Sequence, residues 1–101
     1  MTLREKQSLF VQMVATLIKR AHALGYDLTF ACARCAKKGH HRANSLHYIG
    51  LAIDLNIFKN GVYLTDGTGH DVLHDVWDSL GGAARIPRDL NHYSLEHEGR
   101  R

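Results

Sequence analysis

The chain has 101 residues, 45% of them hydrophobic and only one a proline, which suits one ordered domain over residues 1–101 and excludes a multidomain enzyme or a disordered tail. Thirteen Lys and Arg against ten Asp and Glu leave a charge of +3, too small a surplus to demand nucleic acid as a partner. No apolar run approaches the roughly 20 residues of a membrane span, and Met1 to Lys6 lack the apolar stretch of a secretory leader, so a soluble cytoplasmic protein without membrane contact is expected.

Thr2-Leu3-Arg4-Glu5 reads as a capping box. Behind it Leu9, Phe10, Met13, Val14, Leu17, Ile18, Ala21 and Leu24 recur at helical spacing, which predicts a helix from about residue 3 to 24 with Gly25 as its stop. Tyr26 to Phe30 reads as a short strand leading into a basic loop, Ala31 to Asn44. Leu51 to Phe58 alternates as a strand, with Leu51, Ile53, Leu55 and Ile57 toward the helix and Ala52, Asp54, Asn56 and Phe58 on the other face. Lys59-Asn60-Gly61 is a turn into Val62-Tyr63-Leu64. Thr68 is the expected cap of a second helix that points Val72, Leu73, Val76, Trp77 and Leu80 inward and ends at Gly81-Gly82. An irregular stretch follows from Pro87, and Asn91 to Glu96 is the last expected strand. Helices beside a small, mostly antiparallel sheet make an α+β fold.

Eight histidines in so short a chain raise the prospect of a metal site. In Ser45-Leu46-His47-Tyr48-Ile49-Gly50-Leu51-Ala52-Ile53-Asp54, Gly50 lets the chain turn so that His47 leans back toward Asp54. A carboxylate on a strand among apolar residues is costly unless something satisfies it, and Ala52 beside it leaves room. Asp89-Leu90-Asn91-His92 supplies a second imidazole and a further carboxylate. Two neutral imidazoles and one carboxylate, His47, His92 and Asp54, suit Zn²⁺ with a place left for water, and Asp89 stands where a general base is needed.

The pattern Ser-x-His-x-x-Gly-x-Ala-x-Asp at 45–54, followed by Asp-x-x-His at 89–92, resembles the M15 family of zinc peptidases, which includes D-Ala-D-Ala carboxypeptidases and phage L-alanyl-D-glutamate endopeptidases. Asn91-His92-Tyr93-Ser94-Leu95-Glu96-His97 and the Gly-Tyr-x-Leu-Thr-Phe segment look most like small phage-encoded members. The resemblance implies a Hedgehog/DD-peptidase-type fold, zinc on His47, Asp54 and His92, and Asp89 as the base. It also implies hydrolysis of an amide in the peptidoglycan stem peptide by a monomer that reaches the wall after release, through a partner such as a holin. Relatives carry a longer segment before the Ser-x-His motif, with a substrate-binding arginine. Here Arg34 or Arg42, with Ser45, are the candidates for contact with substrate.

Other groups read more simply. Cys32-x-x-Cys35 with His40 matches the start of a zinc knuckle, and Lys37, Lys38 and Arg42 would let such a module bind nucleic acid. No fourth ligand follows at the usual spacing, so two reduced loop cysteines are the simpler expectation. His70 and His74, one turn apart, are expected on a solvent-facing helix side. His97 and Glu96 are placed either to orient a ligand or to face solvent, and Arg100-Arg101 to be solvated or to hold an anionic wall polymer. A non-catalytic relative that binds wall fragments keeps the same sequence features.

Overall fold

A computed structural model describes residues 1–32 and 44–101. Helix α1 runs Leu3–Ala23, and its capping box is complete: the Glu5 N–H donates to the Thr2 hydroxyl and the Thr2 N–H to the Glu5 carboxylate, at 3.1 and 2.9 Å. Gly25 follows with φ +90°, the left-handed conformation that stops a helix cheaply only at glycine. No described helix is long and apolar enough to cross a membrane.

Four antiparallel strands form one sheet: β1 (Asp27–Cys32), β2 (Ala52–Lys59), β3 (Val62–Tyr63) and β4 (His92–Ser94). Strand β2 is central. β1 pairs along one edge, while β3 and β4 share the other, at the two ends of β2. The tight turn between β2 and β3 uses Asn60 and Gly61 at φ +52° and +77°, as an Asn-Gly hairpin requires. A 3₁₀ turn, Leu46–Ile49, precedes β2 and closes on Gly50 at φ +72°.

One face of the sheet carries Ile53, Leu55, Ile57 and Tyr93, all buried, and α1 and α2 (Thr68–Ser79) complete the core with Phe10, Leu17, Leu73 and Trp77. The Trp77 ring meets Phe10 edge-on at 5.8 Å and Tyr93 at 6.0 Å, and its Nε1 donates to the Ser94 carbonyl at 2.9 Å. The other face carries Ala52, Asp54 and Asn56. The architecture is α+β, as the hydrophobic periodicity implies.

Five local expectations are corrected. Gly67, not Thr68, is the N-cap of α2 and offers no side-chain cap, while Asp66 Oδ1 just before it accepts from the Thr68 N–H and hydroxyl at 3.1 and 2.9 Å. The buried face of α2 is His70, Leu73, His74 and Trp77, and Val72 is exposed. The solvent-facing role for His70 and His74 therefore fails. Polar partners inside the core accept these rings: His70 Nδ1 lies 2.7 Å from the Tyr93 hydroxyl, and His74 Nε2 lies 2.6 Å from the Leu90 carbonyl with its ring stacked on Tyr93 at 4.2 Å. Strand β1 extends to Cys32, past the expected end at Phe30, because pairing with Asp54 carries it further. Cys32 is buried and disulfide-bonded, so it is not a reduced loop cysteine.

Candidate metal centre

Sheet register builds the site. On one edge of β2, Asp54 stands opposite His92, and on the other edge opposite Cys32. Directly paired residues of antiparallel strands point to the same face, so three donor-bearing residues line up across the sheet. The fourth comes from the 3₁₀ turn. Ser45 caps that turn, its hydroxyl accepting from the His47 N–H at 3.2 Å, and Gln7 of α1 clamps its far end by donating to the Ile49 carbonyl at 2.7 Å. Gly50 then reverses the chain into β2, which drops the buried His47 ring onto Asp54.

His47 Nε2 lies 3.1 Å from Asp54 Oδ1 and 3.2 Å from His92 Nδ1, and His92 Nδ1 lies 3.4 Å from the same oxygen. Asp54 Oδ1 is buried and no donor is aligned on it. Tetrahedral Zn²⁺ with bonds of about 2.0–2.1 Å spaces its ligand atoms about 3.3 Å apart, and the three observed edges lie close to that length. Three ligand-type atoms this close together, one of them an unmet oxygen, have the spacing required to surround a metal ion. A Cys32, His47 and Asp54 group, with ligand atoms within 4.8 Å of one another, could also hold one. The two sets share His47 and Asp54, and the sulfur of a disulfide is not the thiolate that metals take.

Burial pushes the Asp54 carboxyl toward its neutral form, but the contacts of His47 and then His92 outweigh it and hold the group well below the usual carboxylate range. An ionised carboxylate is the form that ligates. The second nitrogens are thinly supported: His47 Nδ1 faces Cys32 Sγ at 3.6 Å, and His92 Nε2 is buried with no partner.

Asp89 sits at the rim, its side chain 51% exposed and its Oδ2 3.9 Å from His92 Nδ1. A cleft of about 480 Å³ opens over the centre, lined in part by Ser45, His47, Asp89 and His92. Arg88, Arg100 and Arg101 line it too. Arg100 is anchored by donating to the Asn44 carbonyl at 2.8 Å, and Arg88 has no ion-pair partner among the described residues. Arg34 and Arg42, with Cys35, Lys37, Lys38 and His40, lie outside the described residues. His97 contacts Lys6 Nζ at 3.1 Å and Glu98 at 3.7 Å, and Glu96 accepts from the Gly99 N–H.

Sequence reasoning missed two things. Arg88 has no local motif to mark it, since its place in the cleft depends on the loop after Ile86. Cys32 was grouped with Cys35 and His40 by spacing, whereas strand pairing puts it beside His47. The signal lay in β1: a strand two residues longer than its apolar pattern carries the cysteine to Asp54. Comparison with family models, curated proteins and solved structures finds no match for the chain.

Proposed function

We propose that the chain is a zinc-dependent hydrolase that cleaves an amide of the peptidoglycan stem peptide, as its resemblance to the M15 zinc peptidases implies. The observation that carries the reading is the triangle of His47 Nε2, His92 Nδ1 and Asp54 Oδ1 at the base of an open cleft, with edges of 3.1 to 3.4 Å. These residues would hold Zn²⁺, which supplies Lewis acidity that acidifies a water and polarises a carbonyl.

The chain's own groups do the rest. Asp54 brings one negative charge to the ion, and the neutral imidazoles bring none, so the centre stays electrophilic. Asp89, at the rim beside His92, accepts the proton of the attacking water on a carboxylate oxygen and returns it to the departing amine. Arg88 and Arg100 give the cleft a positive wall suited to a peptide rich in carboxylates.

The test is release of new amino groups from purified sacculi by the zinc-loaded protein, with metal content measured beside it. Asp89→Asn is expected to keep zinc and lose about 10²–10⁴-fold in turnover, the usual span for a positioned acid–base group. His92→Ala is expected to lose zinc and activity together. Full activity in Asp89→Asn removes that residue from the mechanism. Zinc and fragment binding without amine release in the wild type identifies a non-catalytic wall-binding protein instead.

A further inference from the structure

We infer that Cys32 is a reserve ligand of this metal centre, freed by reduction: as a thiolate it joins His47 and Asp54 and puts sulfur on the ion. The inference rests on the reading that His47 and Asp54 hold a metal.

Strand geometry has placed the sulfur deliberately. From the pair Phe30 and Leu55, regular antiparallel counting would set Ala31 opposite Asp54 and Cys32 opposite Ile53, on the helix-packed face. A bulge between Phe30 and Cys32 shifts the register and pairs Cys32 with Asp54 instead. The bulge thus carries the cysteine to the face where His47 and Asp54 meet. Cys32 is buried there, at 7% exposure.

The His47 ring separates the two possible arrangements. Its Nε2 looks toward Asp54 Oδ1 and His92 Nδ1, and its Nδ1 looks toward Cys32 Sγ at 3.6 Å. Zinc bonds of about 2.3 Å to sulfur and about 2.0 Å to nitrogen give a sulfur–nitrogen edge of about 3.5 Å in a tetrahedral site. One nitrogen of His47, the Cys32 sulfur and an Asp54 oxygen lie within 4.8 Å of one another, close enough for one ion to draw them together. Since His47 and Asp54 serve either set, sulfur ligation draws them away from the His92 arrangement.

Electron balance is simple. A dithiol reductant delivers two electrons and two protons, breaks the disulfide of Cys32 into two thiols and becomes a disulfide itself. The Cys32 thiol then gives its proton to solvent as the sulfur takes the metal. A reducing compartment therefore favours the sulfur-ligated centre and an oxidising one favours the nitrogen and oxygen set, so the same chain stores the ion in one place and uses it in the other.

Cobalt(II) in place of zinc tests this with the full chain, because a thiolate ligand adds a sulfur-to-cobalt charge-transfer band in the near ultraviolet. The oxidised protein is expected to show visible cobalt absorption without that band, and addition of a water-soluble phosphine to bring the band up. Zinc affinity is expected to rise about tenfold or more on reduction, the scale of ligand-shell changes. Cys35→Ser, which removes the chain's other cysteine, should show the band without reductant, and Cys32→Ser should never show it. A reduced wild type that binds cobalt with no band overturns the inference while leaving the metal centre standing. So does a band that persists in Cys32→Ser. Absence of cobalt absorption in both redox states overturns the metal centre itself.

Discussion

Asp54 and Tyr93 show how single side chains on neighbouring strands are committed to opposite tasks. Asp54 spends its place in a half-buried position on charge, kept ionised by His47 and His92 despite the burial that opposes it. Tyr93, wholly buried, does the reverse: its hydroxyl meets His70 Nδ1 at 2.7 Å and its ring stacks under His74. Tyr93→Phe keeps the stack and removes the hydroxyl, leaving a buried ring nitrogen unpartnered. The expected loss is about 1–3 kcal/mol in stability, read from the urea midpoint. An unchanged midpoint would mean water replaces the hydroxyl. Neither histidine was legible as core, because periodicity treats an imidazole as polar and knows nothing of a carbonyl or hydroxyl waiting on another element. His47, Asp54 and His92 were legible as candidates for the opposite reason. Their chemistry is conspicuous, and the glycine between the first two announces the turn that brings them together.

Elements with strong local rules came out close to their expected bounds. The capping box and Gly25 delimit α1, and Asn60-Gly61 forces the hairpin, since both depend on residues only a few positions apart. The bulge in β1 was not legible, and of the turn before β2 the sequence marked Gly50 but not the 3₁₀ geometry. Each is imposed by a partner distant in sequence, Asp54 for the bulge and Gln7 for the turn. The end of α2 illustrates the same division. Gly81-Gly82 marks a stop in the sequence, but only the packing reveals why the second glycine is needed, because a methyl group there would overlap the Trp77 indole. Gly82→Ala is therefore expected to cost about 1–3 kcal/mol through forced repacking, with a matching fall in the urea midpoint. Gly81→Ala has open space around it and pays only for its positive φ of +90°, so it should cost about 1–2 kcal/mol without disturbing Trp77 fluorescence. Equal fluorescence changes in the two variants would show that Trp77 is not the cause.

For the molecule as a whole, acid is the expected weakness. Burial lowers the affinity of His70 and His74 for protons below the ordinary 6.5; at His70 the His74 ring adds to it and Asp71 opposes, and at His74 the Leu90 carbonyl and Asp78 oppose while Arg85 and His92 add. The unfolded chain then binds protons that the folded chain refuses. Stability from these groups is complete above their unfolded value and is lost as pH falls below about 6.5 toward the folded values. Asp54 acts in the same direction further down, because its folded affinity lies below the ordinary 3.8 and its contribution fades as the solution becomes more acidic than that. The urea midpoint should therefore be lower at about pH 5.5 than at about pH 7.5, and equal midpoints would show that His70 and His74 are not buried as neutral rings.

Pairing across β2 sets Cys32, Asp54 and His92 in one row. A slip of either outer strand by a single position would turn its donor to the helix-covered side, where no ion could reach it. If the proposed His47, Asp54 and His92 centre holds the ion, its capture doubles as a ruler for strand alignment: an oxidised refolding chain is expected to gain cobalt colour only after β4 has found its proper partner. The time course of that colour, set against the return of tryptophan fluorescence, separates collapse around Trp77 from the later locking of the sheet.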